Sequence, residues 1–307
     1  MNMGPVDLLP EHKPCFLEYL ALFSGCRLSA YAAENIYIWS GLYRIRWAVF
    51  ADCLCVFFED KNGRFLYLPP LGKGEECRRE AASRSFLYMR EKNGDAAGVG
   101  RMENVPGEML ASFGDAYRAR PSMREYICSR DDLTGLRGNT FKHKRSCCNY
   151  FAGKYEYEYR DFRFASRKEI HELYGTWAGQ RRKRKDRVYD GMIADSRLAL
   201  DRALSASGVL AYRGGALFVQ GELKGFTLGY PLNADTFCVL YEFTDLSCKG
   251  AAQFIFREFC RSLDGYRSIN VMDDSGLENL RRVKMSYRPR EIVQAYSVFP
   301  AGVKIVN

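Results

Sequence analysis

The sequence predicts an α/β (α+β) chain of two successive units, each a mixed, mostly antiparallel sheet flanked by helices. Three observations predict it. The 307 residues suit about two domains at roughly 150 residues each. The second half reads helix, helix, four-strand meander, helix, strand, helix, strand, which is the pattern of a mixed sheet with helices packed on it. No repeat of solenoid period and no low-complexity segment competes with that reading.

Phe16, Leu17, Tyr19, Leu20 and Phe23 are spaced for a buried helical stripe, and a second helix is expected after Ser29. Ile45–Phe50, Cys53–Glu59 and Phe65–Leu68 read as strands, the last two joined as a hairpin through Asp60-Lys-Asn-Gly63. Pro69-Pro-Leu-Gly72-Lys-Gly74 ends the sheet, and a charged helix runs from Glu75 to about Lys92, stopped at Asn93–Gly94. From Asn93 to Arg130 the pattern is short and mixed, consistent with the end of a first unit. Tyr126–Cys128 then leads as a strand into the helix start Ser129-Arg-Asp-Asp132. The expected division is 1–129 and 130–307.

In the second unit, Phe141–Phe151 is a basic helix, Tyr155–Tyr159 a strand and Arg167–Trp177 a helix. The hydrophilic run Gln180–Arg187 precedes a long helix from about Tyr189 to Ser205. Val209–Tyr212, Ala216–Val219, Gly225–Tyr230 and Thr236–Phe243 are read as the meander, with Gly214–Gly215 and Gln220-Gly-Glu222 as turns. Lys249-Gly-Ala-Ala252 opens a helix to about Leu263. Ser268–Met272 is a buried strand, and Leu277–Lys284 is helical in pattern.

Composition narrows the class. Apolar runs such as Leu54–Phe58 are far too short to cross a bilayer, and Met1–Pro14 lacks the apolar core of a secretory signal. Eleven cysteines with no framework spacing read as reduced, mostly buried thiols, so a soluble cytoplasmic chain is expected. With three histidines, neither a zinc site nor a Ser-His-Asp engine is expected, and no metal is assigned. G-x-S-x-G, Walker and H-E-x-x-H patterns are absent. The net charge of +9 favours contact with phosphate, whether on nucleic acid, a nucleotide donor or an anionic membrane surface.

Three constellations carry candidate chemistry. The strand–loop–helix Tyr241–Ala252 holds Glu242, Asp245, Lys249, Gly250 and Ala252, and a helix start with small residues can cradle phosphate. Its plain alternative is tight helix-on-sheet packing. Asn270–Pro289 places Asn270, Asp274, Arg281, Lys284, Ser286 and Tyr287 beyond a buried strand, where ligands of α/β sheets gather. A solvated, helix-capping loop is the alternative there. The basic segments Lys142, Lys144, Arg145 and Arg181, Arg182, Lys183, Arg184 suit RNA or another polyanion, or else an ordinary exposed helical face.

Thr140–Phe151 (TFKHKRSCCNYF), Gly225–Tyr230 (GFTLGY) and Asn270–Pro289 (NVMDDSGLENLRRVKMSYRP) resemble a bacterial family related to the C-terminal domain of phosphatidylglycerol lysyltransferase. Ser29–Trp39 and Pro70–Gly74 resemble its N-terminal motifs. The resemblance implies two tandem N-acetyltransferase-like domains, with the site in the second. It implies acyl transfer from an aminoacyl-tRNA-type donor to an amine or hydroxyl, with nothing bound covalently. Glu242 is then the expected general base and Tyr287 the acid, with Asp245 beside them. Lys249, Gly250, Ala252, Asn270, Asp274, Arg281, Lys284 and Ser286 are expected to hold the donor or substrate. Ser146, Phe243-Thr244, Val271-Met272 and Asn279 depart from the family pattern, and at Val271-Met272 a positive charge and an acid are lost. An acyl-CoA-dependent N-acyltransferase and a non-catalytic binder of RNA or anionic lipid are the alternatives. Ser247, standing where acyl-CoA enzymes begin their pyrophosphate loop with Gln or Arg, counts against the first of these.

Overall fold

The computed structural model describes residues 4–94, 99–181 and 187–302. Its strands are β1 (Val6–Asp7), β2 (Arg44–Phe50), β3 (Cys53–Asp60), β4 (Gly63–Leu66), β5 (Met102–Pro106), β6 (Tyr117–Ser129), β7 (Tyr157–Asp161), β8 (Arg213–Val219), β9 (Glu222–Pro231), β10 (Thr236–Thr244), β11 (Ser268–Asp273) and β12 (Glu291–Pro300). The helices are α1 (Lys13–Leu20), α2 (Ala33–Ile38), α3 (Glu75–Asn93), α4 (Arg130–Gly135), α5 (Lys142–Lys154), α6 (Arg167–Arg181), α7 (Arg187–Ala206), α8 (Ala251–Ser262) and α9 (Glu278–Met285).

The strands form one sheet in the order β1-β2-β3-β4-β5-β12-β6-β11-β10-β9-β8-β7. Each half contains an antiparallel meander, then a helix, then a parallel neighbour: β2-β3-β4-α3-β5 and β8-β9-β10-α8-β11. The next strand of each half crosses over. β6 pairs with β11 of the second half, β12 pairs with β5 of the first, and the two lie antiparallel at the centre. β6 lies within 1–129 and β12 within 130–307, so each sequence half supplies a strand to the other's sheet.

Local chemistry sets these elements. Ala51 and Asp52, at φ 45 and 59, form the two-residue turn between β2 and β3. Asp60 Oδ1 accepts from the Asn62 and Gly63 amides and closes the β3–β4 hairpin. Ser129 caps α4 by accepting from the Asp132 amide. In α8, Ala251, Phe254, Ile255, Phe256, Phe259 and Cys260 form the buried stripe. Each large apolar side chain so buried contributes about 1.5–3 kcal/mol. Eight of the eleven cysteines are buried and all are free, which leaves little thiol surface for oxidation.

Three expectations are corrected. Val209–Tyr212 is a turn rather than a strand: Val209 and Leu210 donate to the Ala206 carbonyl, and Ala211 N and Tyr212 Oη reach Glu34. Leu210 and Tyr212 are buried beside α2 instead of joining a ladder, and Val209 is exposed. Gly214–Gly215 lies inside β8 rather than in a turn, because a Cβ on Gly214 would sit 2.3 Å from the Thr227 carbonyl, and one on Gly215 would overlap the Tyr159 ring. The stretch from Asn93 to Arg130 contains the 13-residue β6, whose outer part, Arg118–Arg124, is exposed and so lacks the alternation that marks a strand.

The halves are joined by buried polar bonds. Glu125 accepts from Ser29 N, Ser29 Oγ and Asn270 Nδ2 at 2.8, 2.7 and 2.6 Å. Tyr230 Oη accepts from Asn35 Nδ2 at 2.7 Å and donates to the Ser29 carbonyl at 3.1 Å. Replacing Tyr230 by Phe strands both partners and is expected to cost about 2 kcal/mol. Urea denaturation of the two proteins measures it.

Candidate functional site

β10 and β11 pair only over Thr236–Cys238 and Ser268–Asn270. Beyond that, β10 continues beside β9 to Thr244, and β11 continues beside β6 to Asp273. The parallel strands therefore part beyond Cys238 and Asn270. Phe237 and Val239 face α8, whereas Cys238, Tyr241 and Phe243 face the α6–α7 layer. An irregularity between Val239 and Tyr241 breaks the alternation, so Glu242 returns to the α8 side. A bulge that re-aims one side chain is a recurrent device beside functional sites.

Around Glu242 gather Lys144 from α5, Lys284 from α9 and Tyr287 just beyond α9. Lys144 is buried with Nζ 3.9 Å from the centre of the Tyr287 ring, which also meets Phe256 edge-on at 4.8 Å. Lys284 Nζ donates to the Val271 carbonyl, just past the last β10–β11 pair. Among the described residues, no hydrogen-bond partner accompanies the Glu242 carboxyl or the Tyr287 hydroxyl.

Burial pushes the Glu242 carboxyl up to about 7, while the charges of Lys144 and Lys284 pull the other way. Burial lowers Lys144, opposed by Glu242. It also lowers Lys284, opposed by Asp273, Glu125 and Asp274. Burial, with the nearby Glu242, holds Tyr287 well above the ordinary phenol range, so its proton stays in place at neutral pH. A carboxyl poised near 7, a retained phenolic proton and a buried ammonium are the components of general acid–base catalysis with oxyanion stabilisation.

The other candidates lie elsewhere. Asp245 is committed to the β10–α8 loop, accepting from Gln180 Nε2, Ser247 N, Ser247 Oγ and Lys224 Nζ. Those donors hold it far below the usual carboxylate range despite burial, so it is no proton acceptor. Gly250 packs on α5: a Cβ would lie 2.4 Å from the Cys147 carbonyl. Ala252 is half-buried beside it, and Lys249 stands 5.0 Å above the Tyr150 ring. Asn270 is wholly buried, bonded to Glu125 and to the Arg27 carbonyl. Asp274 accepts from Tyr126 Oη and the Gly276 amide. Ser286 Oγ returns to the Val283 carbonyl, and Arg281 is exposed.

Of the basic helix, Lys142 faces solvent, Arg145 binds the Leu136 and Gly138 carbonyls, and Lys144 turns inward. Gln180 and Arg181 belong to α6, with Arg181 exposed. Arg182, Lys183 and Arg184 lie outside the described residues. Lys144 appeared in the sequence only as part of a charge run. A signal existed: Phe141, Lys144, Cys148 and Phe151 follow 3–4–3 spacing and are all buried, which places Lys144 on the inward stripe.

The chain shares its fold with a tandem GNAT protein from the clavulanic acid biosynthesis pathway, with TM-score 0.50, 10% identity and coverage of 96% of this chain and 97% of that one. The architecture is thus that of tandem GNAT-like proteins. Residues 27–299 match the family model described as phosphatidylglycerol lysyltransferase, C-terminal, and the chain belongs to that family. L-PGS from Bacillus licheniformis is similar in fold, with TM-score 0.66, 16% identity and coverage of 97% and 94%. A conserved protein of unknown function from Bacteroides thetaiotaomicron is similar at TM-score 0.82 and 27% identity, covering 98% and 100%. An uncharacterised protein of Mycoplasmoides gallisepticum is 24% identical over 62% of this chain, and the match spans 61% of that curated relative's length. No helix among the described residues is long and apolar enough to cross a membrane.

Proposed function

We propose that the chain is an acyltransferase that moves an aminoacyl group from an aminoacyl-tRNA-type donor to an amine or hydroxyl. The observation that carries the proposal is the unpartnered Glu242 carboxyl, raised to about 7, beside Lys144 and Tyr287 where β10 and β11 part. Membership of the lysyltransferase-related family supports the same reaction class. In this mechanism Glu242 takes a proton from the acceptor, whose freed electron pair attacks the donor's ester carbonyl. The Lys144 ammonium faces the oxyanion that forms. As the ester C–O bond breaks, Tyr287 gives its proton to the leaving ribose oxygen. Tyr287 then regains a proton from Glu242 through solvent, which restores both groups.

The test offers radiolabelled aminoacyl-tRNAs and acyl-CoAs as donors, with amine, hydroxyl and lipid-extract acceptors. Acceptor-dependent transfer from a charged tRNA is the expected result, and no transfer from any donor by folded protein would overturn the proposal. The rate should rise with pH through about 7, because the base form of Glu242 is needed. A rate that instead falls over pH 6–8 removes Glu242 from the base role.

A further inference from the structure

The loop between β10 and α8 stands at the start of a helix, where a phosphate would bind if the local amides were free and no negative charge sat among them. A negative charge does sit there, and among the amides of Leu246–Gln253 only those of Gly250, Ala252 and Gln253 are without an acceptor among the described residues. Leu246 N donates to Gln180 Oε1 at 2.9 Å and Ser247 N to Asp245 Oδ1 at 3.0 Å. The amides of Cys248, Lys249 and Ala251 are taken by the carbonyls of Asp245, Ser247 and Cys248. The Asp245 carboxylate is surrounded by donors: Gln180 Nε2 at 2.8 Å, Ser247 Oγ at 2.7 Å, Ser247 N, and Lys224 Nζ at 3.2 Å. It occupies the centre of the loop as an anion would. At the helix start, the space above Gly250 is filled by the Cys147 carbonyl of α5.

We infer that Asp245 is a built-in counter-anion that, with Gln180, closes the β10–α8 loop to pyrophosphate-bearing donors and so sets donor selectivity against CoA thioesters. This deepens the reading of the chain as an aminoacyltransferase and rests on it for its purpose, though not for its physics. A pyrophosphate approaching the loop meets a like charge, and the amides of Leu246, Ser247, Cys248, Lys249 and Ala251 already have acceptors. Removing the carboxylate frees Ser247 N and Gln180 Nε2 and leaves Lys224 Nζ, still 3.0 Å from Glu222 Oε2, as the cation beside an empty centre. Lys224 and Gln180 come from different elements, β9 and α6, so they converge on the loop only in the folded chain.

Isothermal titration with CoA and with inorganic pyrophosphate tests the inference on wild type, Asp245→Ala, Asp245→Asn and the double variant Asp245→Ala/Lys224→Ala. Asp245→Asn keeps an oxygen for Ser247 and guards against a collapsed loop. Wild type should bind either probe weakly or not at all. Asp245→Ala should bind about 10-fold tighter or better, as expected from gaining one charged hydrogen-bonded contact. Asp245→Asn should fall between, and the double variant should lose the gain. Wild-type binding as tight as that of the variants overturns the inference. So does a folded Asp245→Ala and Asp245→Asn pair, judged by circular dichroism, with no gain in affinity. Absence of transfer in the donor screen would remove the transferase reading while leaving this binding comparison decisive on its own.

Discussion

Replacing Glu242 by Gln is expected to lower turnover by about 10²–10⁴-fold, the range for loss of a positioned general base, while the fold is retained. Gln keeps the size of the side chain and removes only the titration. The same variant makes a second prediction through linkage. In the folded chain the Glu242 pKa is raised to about 7 from the ordinary 4.5. The protonated carboxyl is therefore favoured on folding. Its contribution is fully present below about pH 4.5 and is lost as pH rises through about 7. Above that, the folded protein carries a desolvated carboxylate at a cost on the order of 2 kcal/mol, after allowance for its partial solvent access. Glu242→Gln should thus be more stable than wild type at pH 8 and about equal at pH 4.5. Urea unfolding at the two pH values, with the transfer assay in parallel, reads both effects. Wild-type activity in the variant, or parallel stability–pH curves, would contradict the assignment.

Gly229→Ala is expected to destabilise the protein by about 3 kcal/mol or more, at the upper end of overpacking effects. Gly229 is in β9, in the interior of the sheet, and a Cβ there would sit 2.1 Å from the Cys238 carbonyl and 2.5 Å from the Phe237 ring. One neighbour is backbone of β10 and cannot rotate away, so the two strands must separate just where β10 begins its pairing with β11. The melting temperature should fall by about 5 °C or more. Gly208→Ala, in open space in the α7–β8 connection, is the control and should change it little. Equal effects of the two would contradict the close packing of β9 on β10 at Gly229.

Much of this architecture was legible. The hairpin at Asp60–Gly63, the stripe of α8 and the apolar runs of β10 and β11 each rest on residues close in sequence, where periodicity and turn chemistry act directly. The glycines of Gly225–Tyr230 were visible as a motif, although their reason, contact with β8 and β10, was not. The outer part of β6 escaped because Arg118, Arg120 and Arg124 are exposed and nothing alternates. The bulge that aims Glu242 also escaped. Regular alternation would have put Glu242 on the face opposite to Val239, and only the paired strand reveals the extra residue. Asn270 and Asp245 were polar residues in suggestive places, but their partners Glu125, Gln180 and Lys224 are distant in sequence. Whether such a residue is free to do chemistry or already engaged depends on contacts that no local pattern records.

The crossing of β6 and β12 bears on how the protein is made. A ribosome releases the β5 edge, Met102–Pro106, long before Glu291–Pro300 has been synthesised to cover it. For that interval the nascent first half carries an open ladder of unpaired amides and carbonyls, the kind of edge that invites association with other chains. The finishing stroke for both halves is the arrival of a single late segment. Truncation ahead of Glu291 would strip the shared sheet of its central tie rather than yield a clean first half.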